Sequence, residues 1–403
     1  MAAGELKPRW GQPLTGIISF CVFFVIALVL WFILSDHRGP IGWFPYPFVM
    51  YLAMMILVGI WQHMFMGDWP FQNIEQPKRG IIMTIANLVI VWFVIDIIFY
   101  RILGLGFNFL SYYGLDALGQ PGKLAQVAVV GFVLIGFFTY PVFTILFGKW
   151  PVQPSNLTQP QTGFAEIGWG SLVTLFCYVV LIVPFFGNIF VGPALAPTRW
   201  TAIGGTSHVH WVFGWWEWAI VVLFMTANVW RGKPWTLIKL PQPWKGIVSV
   251  VIIFVVSYAI ALVCKAVVPM WIPAATFTDL EAAKGAAEVQ RFLWLHSAEI
   301  AGFTLIPFLI WHHYFDDGAF GLDKDAWTAF VIRTIGVGLL AAGSYWVFYF
   351  GNFGHWGLGN HHMTDLSHRF PHGESLVWNF WWIIPLLWNE WFFHKWPFYV
   401  HQE

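Results

Sequence analysis

The chain has 403 residues, of which 58% are hydrophobic and 10% charged, with mean hydropathy +0.66 and zero formal net charge. A soluble domain carries about 25% charged residues, so the composition excludes an ordinary soluble protein. The zero net charge points to no nucleic-acid partner and no polybasic lipid tether.

An all-α polytopic membrane protein in the lipid bilayer is therefore expected. The first apolar stretch, residues 15–35, is long enough to span and has no cleavage-site pattern after it. It reads as a helix that is retained. Hydropathy then places spans near 46–66, 81–103, 126–148, 164–187, 209–230, 247–270, 291–314, 328–351 and 375–394, about ten in all. Residues 1–150 and 151–403 form one membrane domain. Its first two helical pairs carry little polar chemistry and read as scaffold or partner-docking surface.

An internal repeat organises these spans. The pattern Q-P-x-x-G begins at Gln12, Gln76, Gln159 and Gln242, each time just before a span, and the last two steps are both 83 residues (159 − 76 and 242 − 159). Trp-Pro or Pro-Trp pairs precede three of the copies, at Trp69-Pro70, Trp150-Pro151 and Pro234-Trp235, and Trp396-Pro397 lies near the end of the sequence. The expected unit is QPxxG, helix, outer loop, helix, Trp-Pro turn, repeated as five hairpins. Proline at a helix start forfeits no intrahelical hydrogen bond, so the motif is expected to set how each hairpin enters the bilayer.

The side bearing the N-terminus carries eleven Lys and Arg against eight on the other side. This bias puts both termini in the cytoplasm and the histidine-rich loops outside. Twenty-eight tryptophans suit interfacial belts and helix packing, or a planar cofactor. Cys21, Cys177 and Cys264 lie singly in apolar segments, with no CxxC or CxxCH. That pattern leaves no sequence-evident Cys-based zinc, iron–sulfur or c-type haem site.

Three histidine-bearing places fall on the outer side. His208 and His210 form an HxH pair entering the sixth span, a spacing that suits chelation of one ion in extended backbone but also serves as an interfacial pair. Seven residues after His210, Glu217 lies in a span, where a carboxyl group is a functional candidate by default. Its bland alternative is a glutamate satisfied by hydrogen bonds to tryptophan indoles or backbone. His296 and Glu299 share a helix face at i, i+3, either as ligands or as a buried pair. The last outer loop supplies His361, His362, Asp365 and His368, with Asp365 as ligand or as the group that orients a histidine.

These residues make a metal centre (haem, copper or non-haem iron) the leading expectation. They would form a membrane redox or electron-transfer protein that exchanges electrons with quinone or an extracytoplasmic redox partner. Glu217 and Glu299 would then relay protons or ligate. A transporter or channel for a small solute, metal ion or proton using the same His and Glu groups is the alternative, and an anchor among other membrane subunits is the third. No Walker A, GxGxxG, GxSxG or HExxH pattern is present, which disfavours ATPases, nicotinamide enzymes, elbow-type hydrolases and zincins.

Overall fold

The computed structural model describes residues 6–36, 38–40, 46–103, 123–152, 158–178, 210–230, 232–316, 326–358 and 374–401. Most of these residues are helical. The main helices are α1 (Leu14–Leu30, widening into a π turn at Trp31–Ser35), α2 (Tyr46–Ile60, then a π turn Trp61–Phe65), α3 (Lys78–Trp92, then Phe93–Ile102), α4 (Lys123–Ile145) and α5 (Gln159–Phe176). They continue with α6 (His210–Ala227), α7 (Trp244–Trp271), the short α8 (Ala274–Lys284), α9 (Ala286–Tyr314), α10 (Ala326–Tyr349) and α11 (Glu374–Trp391). Strand β1 (Leu6–Pro8) pairs antiparallel with β2 (Tyr399–His401), with Lys7 opposite Val400.

Among the described residues, five helices are long and apolar enough to cross a membrane: Leu14–Ser35, Lys78–Ile102, Trp244–Trp271, Glu288–Tyr314 and Trp327–Tyr349. The protein is thus an all-α protein with the character of a membrane protein. Burial sorts the helices into two layers. The apolar window of α9 is 83% buried, against 22% in each of α1, α7 and α10. Exposed side chains on those outer helices, such as Ile17, Val25, Val251, Val255 and Leu339, are aliphatic, as a lipid-facing surface requires.

Inner helices α2, α4, α6, α9 and α11 contact one another in that order, and α11 closes back on α2. The outer helices lie over this ring: α1 on α9 and α11, α3 on α2 and α11, α5 on α4 and the end of α2, α7 on α6 and α9, and α10 on α9. Of the hairpins expected from the repeat, α7–α9 packs together. Consecutive inner and outer helices pack together across a Trp-Pro or Pro-Trp turn in α2–α3, α4–α5 and α6–α7, and α9 packs on α10 across a connection without that pair. The fifth such pair, α11 with α1, joins the two ends of the chain, and the β1–β2 pairing ties them.

The QPxxG motif explains the offset. Gln12 donates from Nε2 to the Tyr314 carbonyl (2.7 Å), Gln76 to Phe392 (2.8 Å), Gln159 to Phe65 (2.7 Å) and Gln242 to Leu146 (2.8 Å). Each acceptor lies at the C-terminal end of an inner helix, where carbonyls lack intrahelical partners. Gln76 and Gln242 also accept, through Oε1, from the backbone N–H of Gly80 and Gly246 in their own first turns. One side chain therefore caps two helix ends. The motif glycine lets the neighbour approach: a Cβ on Gly16 would meet the Phe315 ring at 2.6 Å, and one on Gly246 would meet the Phe147 ring at 2.5 Å. Where the fifth motif is missing, Arg333 of α10 donates to the Val229 carbonyl (3.3 Å) and Trp230 donates from Nε1 to Thr334 (2.8 Å).

Several tryptophans tie helices together. Trp215, Trp216 and Trp218 of α6 donate to the carbonyls of Phe254, Leu134 and Ser297, on three different helices.

Candidate functional site

All five inner helices line a cavity of about 260 Å³ that runs inside the ring. Its polar residues fall at two levels. Glu217 (α6) and Asn379 (α11) form one level. Toward the turn end of the ring lie His63 (α2), Asn228 just past α6, His313 (α9) and Glu390 (α11). On α6 the levels are eleven residues apart (228 − 217), and on α11 also eleven (390 − 379), or roughly 16 Å at 1.5 Å per residue. Between them the wall is apolar, with Ile220, Phe224, Ile383 and Leu387.

The Glu217 level is chemically incomplete. Glu217 is 6% exposed and Asn379 1%. Among the described residues no hydrogen bond or charged neighbour acts on the Glu217 carboxyl, and neither amide atom of Asn379 has a partner. The expected bland role for Glu217, hydrogen bonding to tryptophan indoles, is not realised. The indoles of Trp215, Trp216 and Trp218 on either side of it are committed to backbone carbonyls. A buried polar group without a partner costs about 1–3 kcal/mol, more if charged, so two facing one cavity mark it as a place for something to bind.

The turn-end level is by contrast densely paired. His313 Nδ1 lies 3.2 Å from Glu390 Oε1, and Lys395 Nζ lies 3.6 Å from Glu390 Oε2. The π turn ending α2 brings His63 face to face with the Trp391 ring and 2.8 Å from Asp68 Oδ1. Asp68 Oδ2 accepts from Arg79 (2.7 Å) and lies 3.0 Å from His394 Nε2, which Arg79 also contacts. Burial, and then the Arg79 guanidinium, push the His394 imidazole down to about 4. Ligating atoms of His63, Asp68 and His394 lie within 4.8 Å of one another. Arg79 nevertheless already supplies the positive charge that Asp68 needs, so the group is complete without an ion.

His296 and Glu299 do come together, with Nδ1 to Oε2 at 3.2 Å and both essentially inaccessible. Tyr345 lies 2.9 Å from His296 Nδ1, and Tyr349 donates to Glu299. The pair sits between α9 and α10 and is not part of the cavity lining. His208, His361, His362, Asp365 and His368 lie outside the described residues, and His210 opens α6 with its side chain outside them. The described residues therefore bring Glu217 to a cavity and His296 to Glu299.

Sequence reasoning passes over Asn379, His63 and Glu390, and reads His313 with His312 as a solvated helix end, whereas His313 pairs with Glu390. Asn379 carried the one available signal, an amide in the otherwise apolar and aromatic run Val377–Ile384.

Comparison with family models, with curated proteins and with solved structures finds no match.

Proposed function

We propose that this protein is a membrane transporter or channel that moves a small solute or protons along the axis of the five-helix ring. The observation that carries this is the axial cavity, whose Glu217 level presents two buried, unpartnered polar groups while its turn-end level is closed by a paired network. An open polar station and a charged closure about 16 Å apart, separated by apolar wall, suit a substrate that enters at one level and is released at the other.

The same proposal extends the architecture to ten spans in five repeated units, each an inner helix packed with one outer helix. The turn end and both termini are assigned to the cytoplasm, on the Lys and Arg bias of the loops. The offset docking of Gln12, Gln76, Gln159 and Gln242 supports the repeat.

Reconstitution in liposomes tests the function. Proton flux and uptake of small labelled solutes are measured for wild type, for Gly302→Phe, which places a ring in the lumen, and for Glu217→Gln. Flux in the wild type that both variants abolish supports transport. Absence of any flux in correctly folded wild type refutes it. The alternative is a redox protein with haem, copper or non-haem iron on the outer histidines, working with quinone or an extracytoplasmic partner. Metal content decides this alternative: near-stoichiometric iron or copper that falls in a His208→Ala/His210→Ala variant favours it.

A further inference from the structure

The chemistry of the Glu217 level specifies what it binds. Glu217 and Asn379 face the cavity from two helices that are not neighbours in the ring. Among the described lining residues there are two carboxyl groups, Glu217 and Glu390, and no Lys or Arg. Glu390 is already matched by His313 and Lys395. Glu217 is the carboxyl group left without a counter-charge, and an ionised carboxylate in an apolar interior needs one. A carboxyl group in an apolar interior ionises only beside a counter-charge, so the ligand that matches Glu217 is a cation that brings that charge with it.

The walls decide which kind of cation. A metal ion such as calcium takes six to eight oxygen ligands, and this level offers one carboxyl and one amide. The remainder is hydrocarbon and aromatic, including Phe137, Phe224 and Phe380. Aromatic faces attract organic ammonium groups and suit their apolar bodies. The size also fits: an apolar cavity of about 150 Å³ accepts benzene, and this one is about 260 Å³.

We propose that the Glu217–Asn379 level is a binding site for a small organic ammonium ion with an apolar body. The ammonium donates to the Glu217 carboxylate and to Asn379 Oδ1, and the body lies against the phenylalanines on the way to the turn end. This inference rests on the transport reading and names the substrate class for it.

The test is binding to the full-length protein in nanodiscs by titration calorimetry. The probes are 2-phenylethylammonium and hexylammonium, each compared with the neutral alcohol of the same shape. At least one ammonium is expected to bind ten-fold or more tighter than its alcohol. Glu217→Gln should remove that preference while leaving alcohol binding unchanged, which also shows that the cavity is intact. Asn379→Leu should weaken the ammonium several-fold. Equal binding of ammonium and alcohol, no binding of either ammonium, or an unchanged preference in Glu217→Gln each overturns the proposal. Failure here with proton flux retained in liposomes removes the ammonium site and leaves transport standing. Failure of both removes the transport reading itself.

Discussion

Gly246 offers a sharp test of how the ring is assembled. It opens α7, and a Cβ at this position would lie 2.5 Å from Phe147 Cδ1 and 2.7 Å from Cγ. Because Cγ is the ring atom nearest the backbone, rotating the ring does not clear the overlap, so helix or backbone must shift. Gly246→Ala is expected to cost about 1–3 kcal/mol, the usual range for overpacking. Lengthening of the Gln242 cap on Leu146, now 2.8 Å, would add to that. Gly168 is the control: it lies inside α5, and a Cβ there meets nothing within 4 Å. Gly168→Ala should stabilise by about 0.5–1 kcal/mol, because alanine loses less backbone freedom in a helix. Thermal unfolding of both variants in detergent should therefore shift in opposite directions. A Gly246→Ala protein that melts at or above wild type, or a Gly168→Ala protein that falls as far, would refute the docking account.

Three further outcomes follow from the geometry. Gln76→Leu leaves the Phe392 carbonyl and the Gly80 N–H without the caps they now have, and should lower stability by about 1–3 kcal/mol, read by the same melting assay. His394 holds its proton only near pH 4 when folded, against 6.5 for the ordinary group. The unfolded chain thus binds more protons between those values, and stability falls as pH is lowered through that window. The melting temperature of His394→Gln should depend less on pH from 7 to 4.5 than that of wild type. Removing one partner of the buried His296–Glu299 pair, as in His296→Leu, should destabilise by about 3–5 kcal/mol, and Glu299→Gln, which keeps an acceptor for Tyr349, should cost less in chemical denaturation.

Local features were legible in the sequence, and features set by distant parts of the chain were not. The QPxxG spacing identified the repeating helix starts, since proline and glutamine act within one turn. The partner of each motif is the end of the next inner helix around the ring, and Gln12 reaches Tyr314 across 302 positions, which no local pattern encodes. The i, i+3 spacing of His296 and Glu299 placed them together because a helix does so on its own, whereas Tyr345 and Tyr349 come from α10. Glu217 stood out as a charge in an apolar run. Its significance depends on what surrounds it, namely three tryptophans committed elsewhere and Asn379 on another helix. The turn-end network is not legible in the sequence because His63, Asp68, Arg79 and His394 meet only when α11 closes on α2.

The central claim is that the ring encloses a path for solute. Cysteine accessibility along α11 tests it most directly, in a background where Cys21, Cys177 and Cys264 are replaced. Ile383 and Leu387 line the cavity, while Ile384 and Leu386 on the same helix are buried but not in its lining. With the protein in liposomes, Ile383→Cys and Leu387→Cys should react with a small cationic thiol reagent, and Ile384→Cys and Leu386→Cys should not. Equal reactivity at all four positions, or none at the two lining ones, would contradict a solute path through the ring.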